Sequence, residues 1–369
     1  ERIEMKLTPL HEAHKALNAK MGEFAGYDMP LYYDAGVKAE HEWVRAHAGL
    51  FDVSHMGQVS LEGPGAAQFW ERVTPSAFTK SKAGRAKYTV LTNKDGGIID
   101  DLIITRLTDT KFYAVLNAGR KDTDIQWINS HLPPSLSFEY AEKQALMALQ
   151  GPAALKIMFE EFGLDLNDMV YMTGQNVDLH GIKAFISRLG YTGEDGFELS
   201  VPAREAVKIW NGILSHDKVR PIGLAARDSL RLEMGYCLYG HDIDETTTPV
   251  EADLQWVIGK DNRDFIGAKA VRGQMEMGTT RKRVGVKLLD KGVAREGTIL
   301  RDEAGQEIGK LTSGGFSPTL KISIGQGYVE AASAIVGHKI VADVRGRAIP
   351  AEITAMPFIQ AKTKAAKAA

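Results

Sequence analysis

The chain has 369 residues, 44% hydrophobic and 25% charged, the profile of a soluble globular protein with room for two or three domains. A formal net charge of -2 provides no global field to recruit nucleic acid or an anionic membrane. No apolar run reaches the ~18 residues of a membrane span, and the single cysteine, Cys237, excludes an internal disulfide and fits a reducing compartment.

The first residues, Glu1 to Lys6, are too charged for a signal peptide, and a first residue other than Met is compatible with removal of an upstream targeting segment. Thr8-Pro9 marks a helix start, with Thr8 as cap and the helix expected through His11 to Met21. His11 and His14 are three apart, whereas the metalloprotease helix needs histidines four apart, so both read as helix-surface residues. Gly22 to Tyr33 reads as a loop rich in aromatics (Phe24, Tyr27, Tyr32, Tyr33), suited to lining a ligand pocket or to packing under another domain. A second helix is expected over Val37 to Ala48. Asp52, Ser54 and His55 follow on one short segment. Triad groups must converge with a fixed relay geometry, which near neighbours cannot do, so these three read as turn hydrogen-bonding residues.

Ala66 to Val73 reads as a short helix and Tyr88 to Thr92 as a strand. Asn93-Lys94-Asp95-Gly96-Gly97 is a strong turn signal. The strand after it, Ile98-Ile99-Asp100-Asp101-Leu102-Ile103-Ile104, carries two adjacent carboxylates. Strand side chains alternate faces, so Asp100 and Asp101 point oppositely and at least one meets the interior or a cleft, unless the strand lies at an edge where both are solvated. Phe112 to Leu116 is a further strand, ended by Asn117-Ala118-Gly119, and Lys121 to His131 is a helix stopped by Pro133-Pro134.

Ala145 to Gln150 reads as a buried strand leading to a helix near Ala153. Gly190-Tyr191-Thr192-Gly193-Glu194-Asp195-Gly196 has spaced glycines, yet strands flank it on both sides, so it is a hairpin turn and no dinucleotide loop. Glu198 sits inside the second of those strands, either facing solvent or serving a site. Ala203 to Ser215 is helical. In the helix that follows Gly223, Arg227 and Arg231 are four apart and share a face, which can bind an anion or an inward carboxylate, or simply be solvated. Cys237, between Tyr236 and Leu238, reads as a plain buried thiol. From about Arg281, short strands alternate with Gly and Pro turns, the pattern of a small β-barrel or jelly-roll. The irregular mixture of strands and helices favours an α+β class. The expected organisation is 1–275 as two interleaved α+β subdomains, 276–361 as a β-barrel domain, and 362–369 as a disordered tail.

Several stretches together resemble the aminomethyltransferase, or T-protein, family of the glycine cleavage system. They are Thr8-Pro9-Leu10, Phe51-Asp52-Val53-Ser54-His55-Met56, Gly96 to Leu102, Asn117-Ala118-Gly119, Gly190 to Glu194, Gly223 to Glu233, and Thr312-Ser313-Gly314 with Ser317-Pro318, in the family's order. The resemblance implies a three-domain cloverleaf with folate in its central hole. It implies transfer of the methylene of an S-aminomethyl-dihydrolipoyl group, carried by the H-protein, to tetrahydrofolate as cosubstrate, with release of ammonia. Matched residue by residue, Asp101 falls on the catalytic aspartate and Glu198 on the carboxylate that holds the pterin. Arg227 falls on a folate-contacting arginine, and Tyr88, Val115 and Trp256 fall on pocket-lining positions. No metal, nucleic acid or membrane enters this scheme. The implied setting is a bacterial cytoplasm, or a mitochondrial matrix if a targeting segment was removed.

The chemistry of the residues agrees. A pterin edge presents adjacent N–H donors that one carboxylate can accept. A carboxylate near the reacting carbon can stabilise positive charge or accept the proton of the attacking nitrogen. Two rivals are a folate-dependent demethylase of the same superfamily and a non-catalytic folate-binding assembly factor. The latter group centres on Lys-Gly-Cys-Tyr, where this chain has Met234-Gly235-Tyr236-Cys237.

Overall fold

In the computed structural model, which describes residues 4–364, two mixed lobes and a barrel each enclose their own core. The class is α+β, and the three lobes form a cloverleaf.

The first lobe is a six-stranded sheet in the order Gly174–Leu179, Ile182–Ser187, Gly196–Pro202, Gln144–Gln150, Ala48–Asp52, Val219–Pro221. All neighbours are antiparallel except the last pair. Helices Ala154–Phe162 and Ala206–Leu214 supply Ile157, Met158, Ile209 and Trp210 to one face. Helices Val37–Ala46 and Leu224–Glu233 cover the other through Val44, Ala226 and Leu230. The second lobe is a five-stranded antiparallel sheet in the order Ala86–Thr92, Ile98–Arg106, Lys111–Leu116, Gly57–Glu62, Ser137–Tyr140. Its core gathers Trp70 and Phe69 of helix Ala66–Val73 and Ile128 of helix Lys121–His131. The third lobe is a closed six-stranded barrel between Arg281 and Thr354, filled by Val286, Leu300, Leu311 and Ile353.

The turn before the aspartate strand is built as its residues demand. Asn93 Oδ1 accepts from the Asp95 and Gly97 N–H groups at 3.0 and 2.9 Å. Gly96 holds a φ of 82°, and a Cβ on Gly97 would stand 1.9 Å from the Glu245 carbonyl oxygen. The strand then pairs with Ala86–Thr92 through a bulge, since Leu91 faces Asp100 while Thr92 faces Ile98. Bulges bend a strand and re-aim its side chains.

Several expectations differ from the structure. The first helix covers only His11–Ala16, and Thr8 uses its hydroxyl to donate to Asp52 at 2.6 Å as well as accepting from Leu10 N–H. Asn18 takes a positive φ of 56°, and the chain turns into a hairpin of Lys20–Phe24 with Tyr27–Tyr32 where a loop was expected. His11 and His14 are buried, not surface residues, because their helix face packs on the sheet and each finds an acid: Asp28 for His11 and Asp52 for His14, both at 2.8 Å. Of the alternatives for Arg231, the structure takes the inward carboxylate and not the solvated face. Arg231 is buried in an ion pair with Asp242 at 2.7 Å, which ties the helix to the barrel lobe through Ser313. Disorder was expected from Lys362. Instead, Lys362 N–H donates to the Gly193 carbonyl at 2.7 Å and the Lys364 carbonyl accepts from Tyr171 N–H at 2.8 Å. The remainder of that expected tail, 365–369, lies outside the described residues.

Candidate active site

One cavity of about 1850 Å³ lies where the three lobes meet. Ser187 and Glu198 come from the first sheet, Tyr88, Asp101 and Val115 from the second, and Arg283 borders it from the barrel. Small-ligand sites commonly hold ~300–1,000 Å³, so this one has room for more than one reactant. All six residues singled out in the sequence, Asp101, Glu198, Arg227, Tyr88, Val115 and Trp256, line it. They come from segments as far apart as residues 88 and 256, and only the packing of the lobes brings them together.

Asp101 is held at both oxygens. Tyr88 donates its hydroxyl to Oδ2 at 2.8 Å, and Asn117 Nδ2 donates to Oδ1 at 2.6 Å. The Tyr88 ring in turn stacks on Trp256, with centroids 5.6 Å apart. Burial, reinforced by the charge of Asp100, pushes the Asp101 carboxyl up to about 7 despite the two hydrogen bonds. Asp100 is fully buried on the other face and does not line the cavity. The alternation inferred from the sequence therefore separates the two acids. It does not disconnect them, because Asn117 Nδ2 also donates to Asp100 Oδ1 at 2.7 Å.

Glu198 alternates with the core residues Phe197 and Leu199, and this places it on the cavity face of its strand. Its carboxylate accepts no hydrogen bond from the described residues, and burial lifts it to about 7, with the charge of Arg227 opposing the rise. Arg227 lies with its guanidinium 4.9 Å from the Tyr191 ring and 5.9 Å from the Phe51 ring, and its Nη1 has no hydrogen-bond partner among the described residues. An unsatisfied carboxylate and an unsatisfied guanidinium end facing one cavity form a pair of anchors for a ligand that presents both donors and acceptors. Aromatic faces flank them, since Tyr191 and Tyr236 stack with centroids 5.8 Å apart.

The chain matches two family models in sequence order: the GCVT N-terminal domain over residues 10–262 and the glycine cleavage T-protein C-terminal barrel domain over residues 281–360. It is 42% identical over 360 residues to the aminomethyltransferase of Halothermothrix orenii, covering 96% of this chain and 100% of the relative. It is 41% identical over 382 residues to the mitochondrial aminomethyltransferase of Dictyostelium discoideum, covering 98% and 94%. The crystal structure of glycine cleavage system aminomethyltransferase T from Bartonella henselae superimposes with a TM-score of 0.92 at 40% identity, covering 98% of this chain and 99% of that one. The chain belongs to the T-protein family of aminomethyltransferases.

As an aminomethyltransferase of the glycine cleavage system it is a transferase, and membership implies a folate as cosubstrate. Neither the demethylase nor the assembly-factor reading is favoured by these relatives. The T-protein cavity also contains residues that sequence reasoning passed over. Asn117 was read as the end of a strand and as part of a segment that resembles the family, with no role of its own. Its register opposite Asp101 follows from the pairing of Ile103 with Val115, which no sequence pattern discloses. His55, read as a turn residue, lines the cavity, has no partner at Nδ1 among the described residues, and is pushed down to about 4, chiefly by burial. Cys237 borders the cavity as an inert thiol, pushed up to about 12 by burial.

Proposed function

We propose that this aminomethyltransferase carries out its transfer with Asp101 at the reacting carbon, Glu198 on the pterin edge and Arg227 beside the same ring system. The observation that carries this reading is the unpaired Glu198 carboxylate inside a cavity lined mainly by apolar side chains. Such a group is unfavourable until it meets donors, and the adjacent N–H groups of a pterin supply two. Tyr88, Val115 and Trp256 then form the walls along the folate, with the stacked Tyr88–Trp256 pair as an aromatic platform.

The second reactant is an aminomethyl group bound through sulfur to the lipoyl arm of an H-protein partner. Ammonia leaves a carbon that becomes cationic, a folate nitrogen attacks it and loses a proton, and a second folate nitrogen then displaces the sulfur, closing the methylene bridge and freeing the reduced lipoyl thiol. A carboxylate fixed at both oxygens is preorganised to face that positive charge. A carboxyl that ionises at about 7 is also matched to accept the proton near neutral pH. The same reading sets the enzyme in a reducing compartment, a bacterial cytoplasm or a mitochondrial matrix.

The test is turnover of aminomethylated H-protein with tetrahydrofolate. Asp101→Asn keeps the shape and removes the charge, and turnover should fall ~10²–10⁴-fold while folate binding persists. Wild-type turnover by Asp101→Asn would remove Asp101 from the chemistry.

A further inference from the structure

Behind Asp101 lies a cluster of acids that the proposed transfer does not use. Asp100 and Asp124 are both fully buried, with Asp124 in the first turn of helix Lys121–His131. Ordinarily an acid there faces the free N–H groups of the helix start. Here neither carboxyl oxygen of Asp124 has an N–H or O–H partner among the described residues. What Asp124 meets within hydrogen-bonding reach is the Asp100 carboxyl. Two carboxylates cannot hydrogen-bond without a proton between them, and in a low dielectric two like charges at that range do not both persist.

No ion pair relieves the cluster. Among the described residues no Lys, Arg or His nitrogen comes within salt-bridge distance of Asp100, Asp101 or Asp124. The adjacent Arg120 spends its Nε on the Ile99 carbonyl at 2.9 Å and pairs with Glu245 at 3.6 Å, and its charge opposes the rise at Asp124 from beyond salt-bridge distance without outweighing burial and the charge of Asp100. The shared proton has a definite home. Asp100 accepts two bonds from Asn117, backbone N–H at 3.2 Å and Nδ2 at 2.7 Å, and both favour its ionised form. Asp124 accepts none, so the proton sits on Asp124.

We propose that Asp124 is a constitutively neutral carboxylic acid whose O–H holds Asp100, and that Asp100, through Asn117, sets the orientation and proton affinity of Asp101. The three residues are positioning residues, and the proposal rests on the reading of Asp101 as the catalytic acid–base group. Asn117 is the junction. Its two amide hydrogens serve Asp100 and Asp101, one each, and its carbonyl oxygen cannot exchange places with the amide nitrogen without facing two carboxylates. The other titratable groups around the cluster are Tyr88 from the neighbouring strand, Tyr191 from the hairpin turn, and Cys237 and Tyr239 from the segment after helix Leu224–Glu233. Burial pushes each of these upward, so they stay neutral across the working range. The charge that Asp101 feels is that of Asp100.

Two measurements test this. Infrared difference spectra between wild type and Asp124→Asn, taken near pH 9, should show a carboxylic-acid C=O band that only wild type possesses. Asp101 and Glu198, raised to about 7, are ionised there. Absence of that band in wild type would overturn the proposal without reference to activity. The second is the pH dependence of kcat/KM with aminomethylated H-protein and tetrahydrofolate. Asp124→Asn replaces the O–H donor by N–H and should retain the wild-type profile. Asp100→Asn removes the charge beside Asp101 and should move the acid limb down by about one pH unit. Asp124→Leu, which has no donor, should lose at least about tenfold in kcat if it folds, and a merely structural role would lower its melting temperature without moving any limb. An unmoved limb in Asp100→Asn would overturn the coupling. If instead Asp101→Asn itself turns over normally, the catalytic reading fails, and the infrared result still decides where the proton is.

Discussion

Replacing Glu198 by glutamine tests the pterin anchor most directly, because burial opposes the charge that the ligand needs. Burial raises the carboxyl from 4.5 to about 7. At ~1.36 kcal/mol per tenfold, this corresponds to roughly 3 kcal/mol against ionisation, an upper bound because the cavity admits water. Glu198→Gln removes that opposition, so above pH 7 the ligand-free variant should be more stable than wild type by up to about 3 kcal/mol. The sign follows from linkage. A carboxyl raised on folding binds its proton more tightly in the folded state, so wild-type stability falls as pH rises from about 4.5 to about 7. Asp101 contributes a parallel slope, and the difference between variant and wild type isolates Glu198. Binding runs the other way. The amide keeps one acceptor and loses the charge, which is worth ~1.5–3 kcal/mol, so the dissociation constant for tetrahydrofolate should rise roughly 10- to 150-fold. Wild-type affinity should increase with pH until about 7 and then level off. Calorimetric titration between pH 6 and 8 with both proteins checks all of this. A folded Glu198→Gln that binds tetrahydrofolate as tightly as wild type refutes the anchor.

A chain ending at Ala361 loses the backbone bonds made by Lys362 and Lys364, each worth ~0.5–1.5 kcal/mol. Thermal unfolding should therefore register about 1–3 kcal/mol of destabilisation, and an unchanged melting temperature would show that the bonds contribute nothing. Burial opposes ionisation of Asp52, but the hydrogen bond and charge of His14, with bonds from Thr8 and Ser54, outweigh it and hold the carboxyl low. That stability is present above the ordinary value of 3.8 and is lost as pH falls below it. Asp52→Ala should cost roughly 3–5 kcal/mol by leaving His14 buried beside no acid, as measured by chemical denaturation at neutral pH.

What could be read from the sequence was local. Ala66–Val73 and Lys121–His131 are helices over the expected residues, because their ends are marked by a proline or glycine. The Asn93–Gly97 turn and the hairpin between Ile182–Ser187 and Gly196–Pro202 were equally legible from glycine and asparagine chemistry. The first helix was overextended because nothing in His11 to Met21 forbids a longer one. It stops at Ala16, with Asn18 turned to a positive φ of 56°, and its His14 and the preceding Thr8 are held by Asp52 and Tyr33 from other segments. The buried histidines were misplaced because a partner 38 residues away leaves no trace in a helical pattern.

The cavity shows the same division. Six of its lining residues were named from motif matches, and strand alternation separated Asp101 from Asp100. The role of Asn117 was not legible because it is a matter of register. Asn117 falls one step past the end of Lys111–Leu116, where the pairing of Ile103 with Val115 sets it opposite Asp101. Asp124 escaped notice because an acid in the first turn of a helix is unremarkable until its partner proves to be another acid. In both cases the side chain gained its role from an interaction that crosses elements and that ordinary sequence chemistry would disfavour, a carboxyl against a carboxyl and one amide between two anions. Such contacts persist only where surrounding packing holds them. Here a buried helix start and a bulged strand hold them directly behind the one carboxylate that Tyr88 and Asn117 fix in the cavity.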